Sequence, residues 1–188
     1  MNKNKKKVAI FIDGSNFYFK MRSTEFNFSD LTGFNYRKFA EWLARDREIV
    51  WSRYYVGVVR AKPGDEKGQK LRQNQQKLFS HLESSSQKFK VVRGYIMNND
   101  GIFHEKGVDV KLAVDLIVGA YEDMYNEAIV VSSDTDLIPA IKKAKELGKR
   151  IEYIGFSNQP SIAMQKNATL SRLLIKEDLE PFVVQTLL

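Results

Sequence analysis

The sequence predicts a single α/β domain with a mostly parallel central sheet, and three observations predict it. Short apolar runs rich in β-branched residues alternate with stretches of helical period, the pattern of repeated βαβ units. Several of these segments close on or carry aspartate: VAIFID at Asp13, KGVDVKLAVDL at Asp109 and AIVVSSDTD at Asp134 and Asp136. In such sheets ligands bind outside the carboxyl ends of the strands, which is where those carboxylates fall. The chain has 188 residues, 43% of them hydrophobic, enough for one ordinary domain with a proper core.

The elements follow in order. After a basic arm over residues 1–7, Val8 to Ile12 is a continuous apolar run closed by Asp13-Gly14, a buried central strand and a sharp turn. Tyr36 to Arg47 carries Phe39, Ala40, Trp42 and Leu43 at helical spacing, and Ile49 to Val59 is a strand rich in β-branched and aromatic residues. Lys62-Pro63-Gly64-Asp65 turns the chain into a long amphipathic helix, Glu66 to Glu83. Phe89 to Met97 is the third strand. The turn Asn98-Asn99-Asp100-Gly101 follows, and Ile102 to Lys106 is either a return strand or a loop.

Val108 to Ala120 is apolar nearly all round, the mark of a buried helix. Ile129 to Ser132 is the fourth strand, expected beside the first. Asp136 to Leu147 is a helix stopped by Gly148, and Arg150 to Gly155 is the fifth strand. The remainder, from Ser161, reads as a helix, a short apolar strand around Leu173 to Ile175 and a final turn. The whole of residues 8–188 is expected to be one domain, with 155–188 as a C-terminal extension.

Lys and Arg total 30 against 23 Asp and Glu, a formal charge of +7, which suits a polyanionic partner and puts nucleic acid first. There are no cysteines, which excludes disulfides, thiolate zinc sites and cysteine nucleophiles and fits a reducing, cytoplasmic setting. Asp13 cuts the first apolar run at five residues, too short for a signal peptide, and no stretch approaches the ~18 apolar residues of a membrane span.

A carboxylate at the end of a buried strand costs desolvation energy unless something compensates it, so several converging on one edge point to a divalent cation. Each has a plain alternative: Asp134 with Asp136, and Asp109, stand at helix starts, where aspartate caps. Asp115 lies six residues beyond Asp109, about 240° around the helix, so the two cannot share a face, and its expected partner is Lys111. Asn16 has an amide able to contact a phosphate or a metal-held water; its alternative role is a helix cap. Taken together, the acidic sites form a candidate metal centre.

FIDGSNFY, KGVDVKLAVDL and VVSSDTDLIPAIKKAKELGKRI, in this order, resemble the signature segments of NYN domains, PIN-like nucleases of the LabA or DUF88 type. The resemblance covers about Val8 to Ile154. It implies a three-layer α/β/α PIN-like, Rossmann-like fold, a Mg²⁺ or Mn²⁺ site and ribonuclease activity. By position, it implies Asp13, Asp109, Asp134 and Asp136 as metal-site carboxylates and Asn16 as the polar residue beside them. The family often has Ser-Gly-Asp where this chain has Ser132-Ser133-Asp134.

On this reading Asp13, Asn16, Asp109 and Asp134 are catalytic, and Asn16, Lys106 and Thr135 contact substrate. The expected partners are RNA and, as an allowed assembly, a second copy in a homodimer, with no membrane. Lys20, Arg22, Arg60 and Lys62 could reach flanking phosphates, though solvated charge is the plainer reading of each. Phe17, Tyr18 and Tyr55 could stack bases but have the spacing of core residues. His81 and His104 read as structural. A binding-class alternative keeps the fold and makes the protein a non-catalytic RNA-binding module. The von Willebrand A-type adhesion motif, Asp-x-Ser-x-Ser, fails at Phe17, and a haloacid-dehalogenase phosphatase would need aspartate where Ser15 stands.

Overall fold

A computed structural model of the chain describes residues 5–183 apart from 29, 62, 100 and 101, and the side chains of those residues except 95–106. A seven-stranded sheet in the order β4-β3-β2-β1-β5-β6-β7 forms the middle layer. The strands are β1 (Lys7–Asp13), β2 (Glu48–Val58), β3 (Lys90–Asn99), β4 (Ile102–Lys106), β5 (Glu127–Val131), β6 (Arg150–Phe156) and β7 (Leu170–Leu174). All neighbours are parallel except β3 and β4, which form an antiparallel hairpin. The segment left open between strand and loop is therefore a strand.

The central strand is buried on both faces, and its alternation assigns one set of side chains to each helical layer. Val8, Ile10 and Ile12 face the layer of α1 (Gly14–Met21), α2 (Tyr36–Ala44) and α3 (Glu66–Leu82). Phe17 sits there among Phe34, Tyr36, Phe39 and Phe156, with ring centroids 5.6–6.1 Å away. Ala9 and Phe11 face the other layer, of α4 (Val108–Tyr121), α5 (Ile138–Glu146) and α6 (Ile162–Asn167).

The C-terminal segment adds β7 to the sheet, then α7 (Lys176–Leu179) and a 3₁₀ turn, Glu180–Phe182. Phe182 packs on Phe34, Phe39 and Trp42 of the first layer.

Two expectations are corrected. Helix α4 buries only the stripe of Val108, Leu112, Leu116, Gly119 and Ala120, while Val110, Val114, Val118 and Tyr121 stand in solvent at 43–78% exposure. An apolar pattern all round a helix does not distinguish burial on every side from a two-faced helix with an apolar outer ridge. Asp115 also does not pair with Lys111. It takes the Arg53 guanidinium at 2.6 Å and the Tyr55 hydroxyl at 2.8 Å, both from β2, while Lys111 donates to the Arg93 carbonyl at 2.6 Å. The i, i+4 spacing on one helix loses to a strand beneath it that presents a cation and a phenol together.

Among the described residues, no helix is long and apolar enough to cross a membrane.

Candidate metal centre

After β1 the chain steps outward through β2 and β3, then crosses back to β5 on the other side of β1. The crevice at the carboxyl ends of β1 and β5 is the topological switch point of the sheet, the place where open α/β sheets bind ligands. Ile12 pairs with Val131, so Asp13 and Ser132 emerge side by side at that edge.

Asp13 ends β1 and caps α1: its Oδ1 accepts the Asn16 backbone N–H at 3.0 Å. Its Oδ2 accepts the Ser132 hydroxyl at 2.8 Å, and Ser132 in turn accepts the Asp134 N–H at 3.1 Å. Asp13 is 5% exposed and Ser132 wholly buried. The chain can turn so sharply because position 14 is glycine: a Cβ there would lie 2.7 Å from the Tyr55 carbonyl oxygen and clash with the edge of the Tyr54 ring.

Asp134 caps the 3₁₀ turn Thr135–Leu137, accepting the Asp136 N–H at 2.9 Å. Asp109 arrives from elsewhere. Gly107, at φ 77°, makes the left-handed turn that starts α4 and places Asp109 in its first turn. Asp13, Asp109 and Asp134 each contribute a carboxylate oxygen, and the three oxygens lie within 4.8 Å of one another. The group grades from buried Asp13 through half-buried Asp134 to exposed Asp109, so it opens to solvent on one side. Three hard oxygen donors at this spacing suit a divalent cation. The capping roles of Asp13 and Asp134 coexist with this convergence.

The other expected site residues divide. Asn16 joins the centre: its side-chain oxygen accepts the Ser133 N–H at 3.3 Å, tying the α1 turn to the loop after β5. Thr135 and Asp136 are exposed at the same edge, Asp136 outside the group of three. The Lys106 side chain lies outside the described residues, as do Lys62 and the His104 side chain. Lys20 is committed to Gln159, and burial holds its ammonium below the usual lysine range. Arg22 stacks on Tyr18. Phe17 and Tyr55 are core, and burial, with the bond to Asp115, pushes the Tyr55 phenol far up. His81 bonds the Phe34 carbonyl at 2.8 Å.

Sequence reasoning missed Ser132 as a site residue. The signal for it was the Ser-x-Asp spacing directly after an apolar strand, which lets one hydroxyl bridge the first carboxylate and the backbone of the second. Ser133, where the family often has glycine, places its hydroxyl 3.1 Å from the Tyr153 hydroxyl, which accepts the Ser161 N–H at 3.2 Å.

The family model for the NYN domain matches residues 7–173, past the Ile154 limit of the sequence resemblance. Over 61 residues, a third of the chain, it is 39% identical to the uncharacterized protein MJ0482 of Methanocaldococcus jannaschii; the match spans 25% of that protein's length. The crystal structure of VPA0982, a protein of unknown function from Vibrio parahaemolyticus, superposes with a TM-score of 0.64 over 95% of this chain and 98% of that one. Sequence identity is 22%, so that likeness concerns the fold alone.

Proposed function

The chain belongs to the NYN domain family, and from that premise we propose that it is a divalent-metal-dependent ribonuclease hydrolysing RNA phosphodiester bonds. The observation that supports this best is the convergence of Asp13, Asp109 and Asp134 oxygens within 4.8 Å at the switch point of the sheet. Those three residues would hold Mg²⁺ or Mn²⁺, with Asp136 as a further carboxylate at the same edge. When bound, such an ion supplies Lewis acidity toward a phosphoryl oxygen and charge neutralisation beside the leaving group.

The chain's own residues do the rest. Hydrogen bonds from the Asn16 N–H and the Ser132 hydroxyl anchor the Asp13 carboxylate at the centre. Exposed Asp109 leaves the side by which a phosphodiester enters. The Asn16 amide nitrogen and the Thr135 hydroxyl are donors to nonbridging oxygens of the substrate, and Lys106 is assigned to a flanking phosphate. No side-chain nucleophile is required. The excess of positive charge over the chain and the lack of cysteines support an RNA partner in a reducing, cytoplasmic compartment.

The test is cleavage of end-labelled structured and single-stranded RNA with Mg²⁺, with Mn²⁺ and with EDTA, beside an Asp13→Asn variant purified identically. Products that require the ion and vanish in the variant are expected. RNA bound equally by both proteins and cut by neither would replace the nuclease with a non-catalytic RNA-binding module.

A further inference from the structure

The pole of the sheet opposite the aspartates carries the reverse charge. A cleft of about 510 Å³ opens where β1, β2, β5 and β6 begin. β1 spans seven residues, so roughly 20 Å at ~3.3 Å per residue separates this cleft from Asp13. Its cations are Lys5, Lys6, Lys7, Lys149 and Arg150, from two stretches more than 140 residues apart in sequence.

Five cations face three carboxylates in the lining, Glu48, Asp123 and Glu127. Glu127 is already saturated: it takes Arg47 at 2.7 Å, Lys6 at 3.2 Å and Arg150 at 3.7 Å. Asp123 pairs with Lys149. The field that remains is positive.

The backbone that presents these cations is fixed. The Lys6 carbonyl accepts the Glu48 N–H at 2.9 Å, and the Lys7 carbonyl accepts the Asn126 N–H at 3.0 Å. The Lys7 N–H donates to the Asn126 side chain at 2.9 Å. On the far wall, Gly148 at φ 80° ends α5 and delivers Lys149 and Arg150 into the cleft. The Arg150 N–H bonds the same Asn126, at its carbonyl, at 3.1 Å, so one asparagine ties both walls together.

Sites for small organic molecules are lined chiefly by hydrophobic and aromatic side chains, and among the described residues this lining has neither an aliphatic nor an aromatic residue. Its volume still matches a nucleotide-sized ligand. We infer that this cleft is a second ligand site, for phosphate-bearing anions read through their phosphates and not through a base. Such a ligand is either a free oligophosphate or the backbone of an RNA chain passing the pole remote from the aspartates. The inference does not rest on the nuclease reading, and its test needs no cleavage.

The test is amide chemical-shift mapping of ¹⁵N-labelled full-length protein in EDTA, titrated with inorganic pyrophosphate and, separately, with a short homopolymer RNA. Amides of Lys7, Asn126, Gly148 and Arg150 should shift with at least one of the two. A pyrophosphate response assigns the site to free oligophosphates, and a response to RNA alone assigns it to the phosphodiester backbone. In Lys5→Ala/Lys7→Ala the apparent Kd read at those amides should rise roughly 2- to 30-fold, the range two exposed ion pairs supply. A Lys70→Ala/Lys77→Ala control on α3 should leave it unchanged. Silence of these amides toward both titrants, or an undiminished response in the Lys5→Ala/Lys7→Ala variant, would overturn the assignment.

Discussion

The Ser132 hydroxyl sits 2.8 Å from Asp13 Oδ2 and donates to it, while accepting the Asp134 backbone N–H at 3.1 Å, so one buried side chain links the first carboxylate to the backbone that carries another. Ser132→Ala removes a donor and orphans an N–H together. It should cost about 1–3 kcal/mol of stability in chemical denaturation. Mn²⁺ affinity should fall by about 10–100-fold, as for outer-shell partners of ligating groups generally. Calorimetric titration giving unchanged affinity would remove Ser132 from the centre.

Gly14 is where the turn after β1 passes 2.7 Å from the Tyr55 carbonyl oxygen, measured from the Cβ an alanine would add. Backbone cannot give way as a flexible side chain does. Gly14→Ala should destabilise by roughly 1–3 kcal/mol, the usual range for overpacking, and weaken Mn²⁺ binding through displacement of Asp13. A thermal melt matching wild type would show that the turn relaxes freely.

Asp115 and Lys111 provide a direct comparison between the helix-surface pairing expected from spacing and the β2 pairing observed. Asp115→Asn should lose about 1.5–3 kcal/mol, because the charge-assisted bond from Arg53 is weakened and the Tyr55 hydroxyl loses its anion. Lys111→Ala should stay within about 0.5 kcal/mol. Urea unfolding of both variants decides, and equal losses would favour the helix-surface pair.

Much of the fold was legible in the sequence because strands and helices leave different periods. VAIFID could only be a buried strand, and the long polar stretch from Glu66 only a helix with one wet face. The three aspartates of the candidate centre were legible because each follows or opens an element at the same edge of the sheet. What the periods could not carry was anything between elements. The exposed ridge of Val110, Val114 and Val118 has the same composition as a buried one, and whether Asp115 turns to Lys111 or Arg53 depends on how α4 lies across β2. The basic cleft was least legible of all, since the arm at Lys5 and the turn at Lys149 meet only through the sheet.

Arg47 joins two buried carboxylates, Glu127 at 2.7 Å and Glu152 at 2.8 Å, and Arg172 meets Glu152 at 2.6 Å. Arg47→Met removes the cation the two carboxylates share but leaves Glu127 with Lys6 and Arg150 and Glu152 with Arg172, so it should cost about 1.5–3 kcal/mol, the range for lost charge-assisted hydrogen bonds. Guanidinium melts measure it, and a loss under about 1 kcal/mol would mean that water compensates the carboxylates.

Glu127 also sets an acid limb. Burial alone would raise its carboxyl pKa, but hydrogen bonds from Arg47 and Lys6 outweigh that and hold it below the usual glutamate range. A depressed folded value means that the unfolded chain binds more protons in acid. The contribution is complete above the unfolded value, about 4.3, and is lost as pH falls through the folded one. Melting temperature should therefore drop more steeply below about pH 4.3 in wild type than in Glu127→Gln. Parallel curves would contradict that assignment.

If Asp13, Asp109 and Asp134 form one divalent-cation centre, all three are needed to bind the ion, which calorimetric titration of Mn²⁺ into wild type and the three single Asp→Asn variants measures. Saturable binding in wild type that collapses in every variant, with each variant still folded by circular dichroism, is the predicted result. Absence of binding in wild type, or binding that survives all three substitutions, would contradict it.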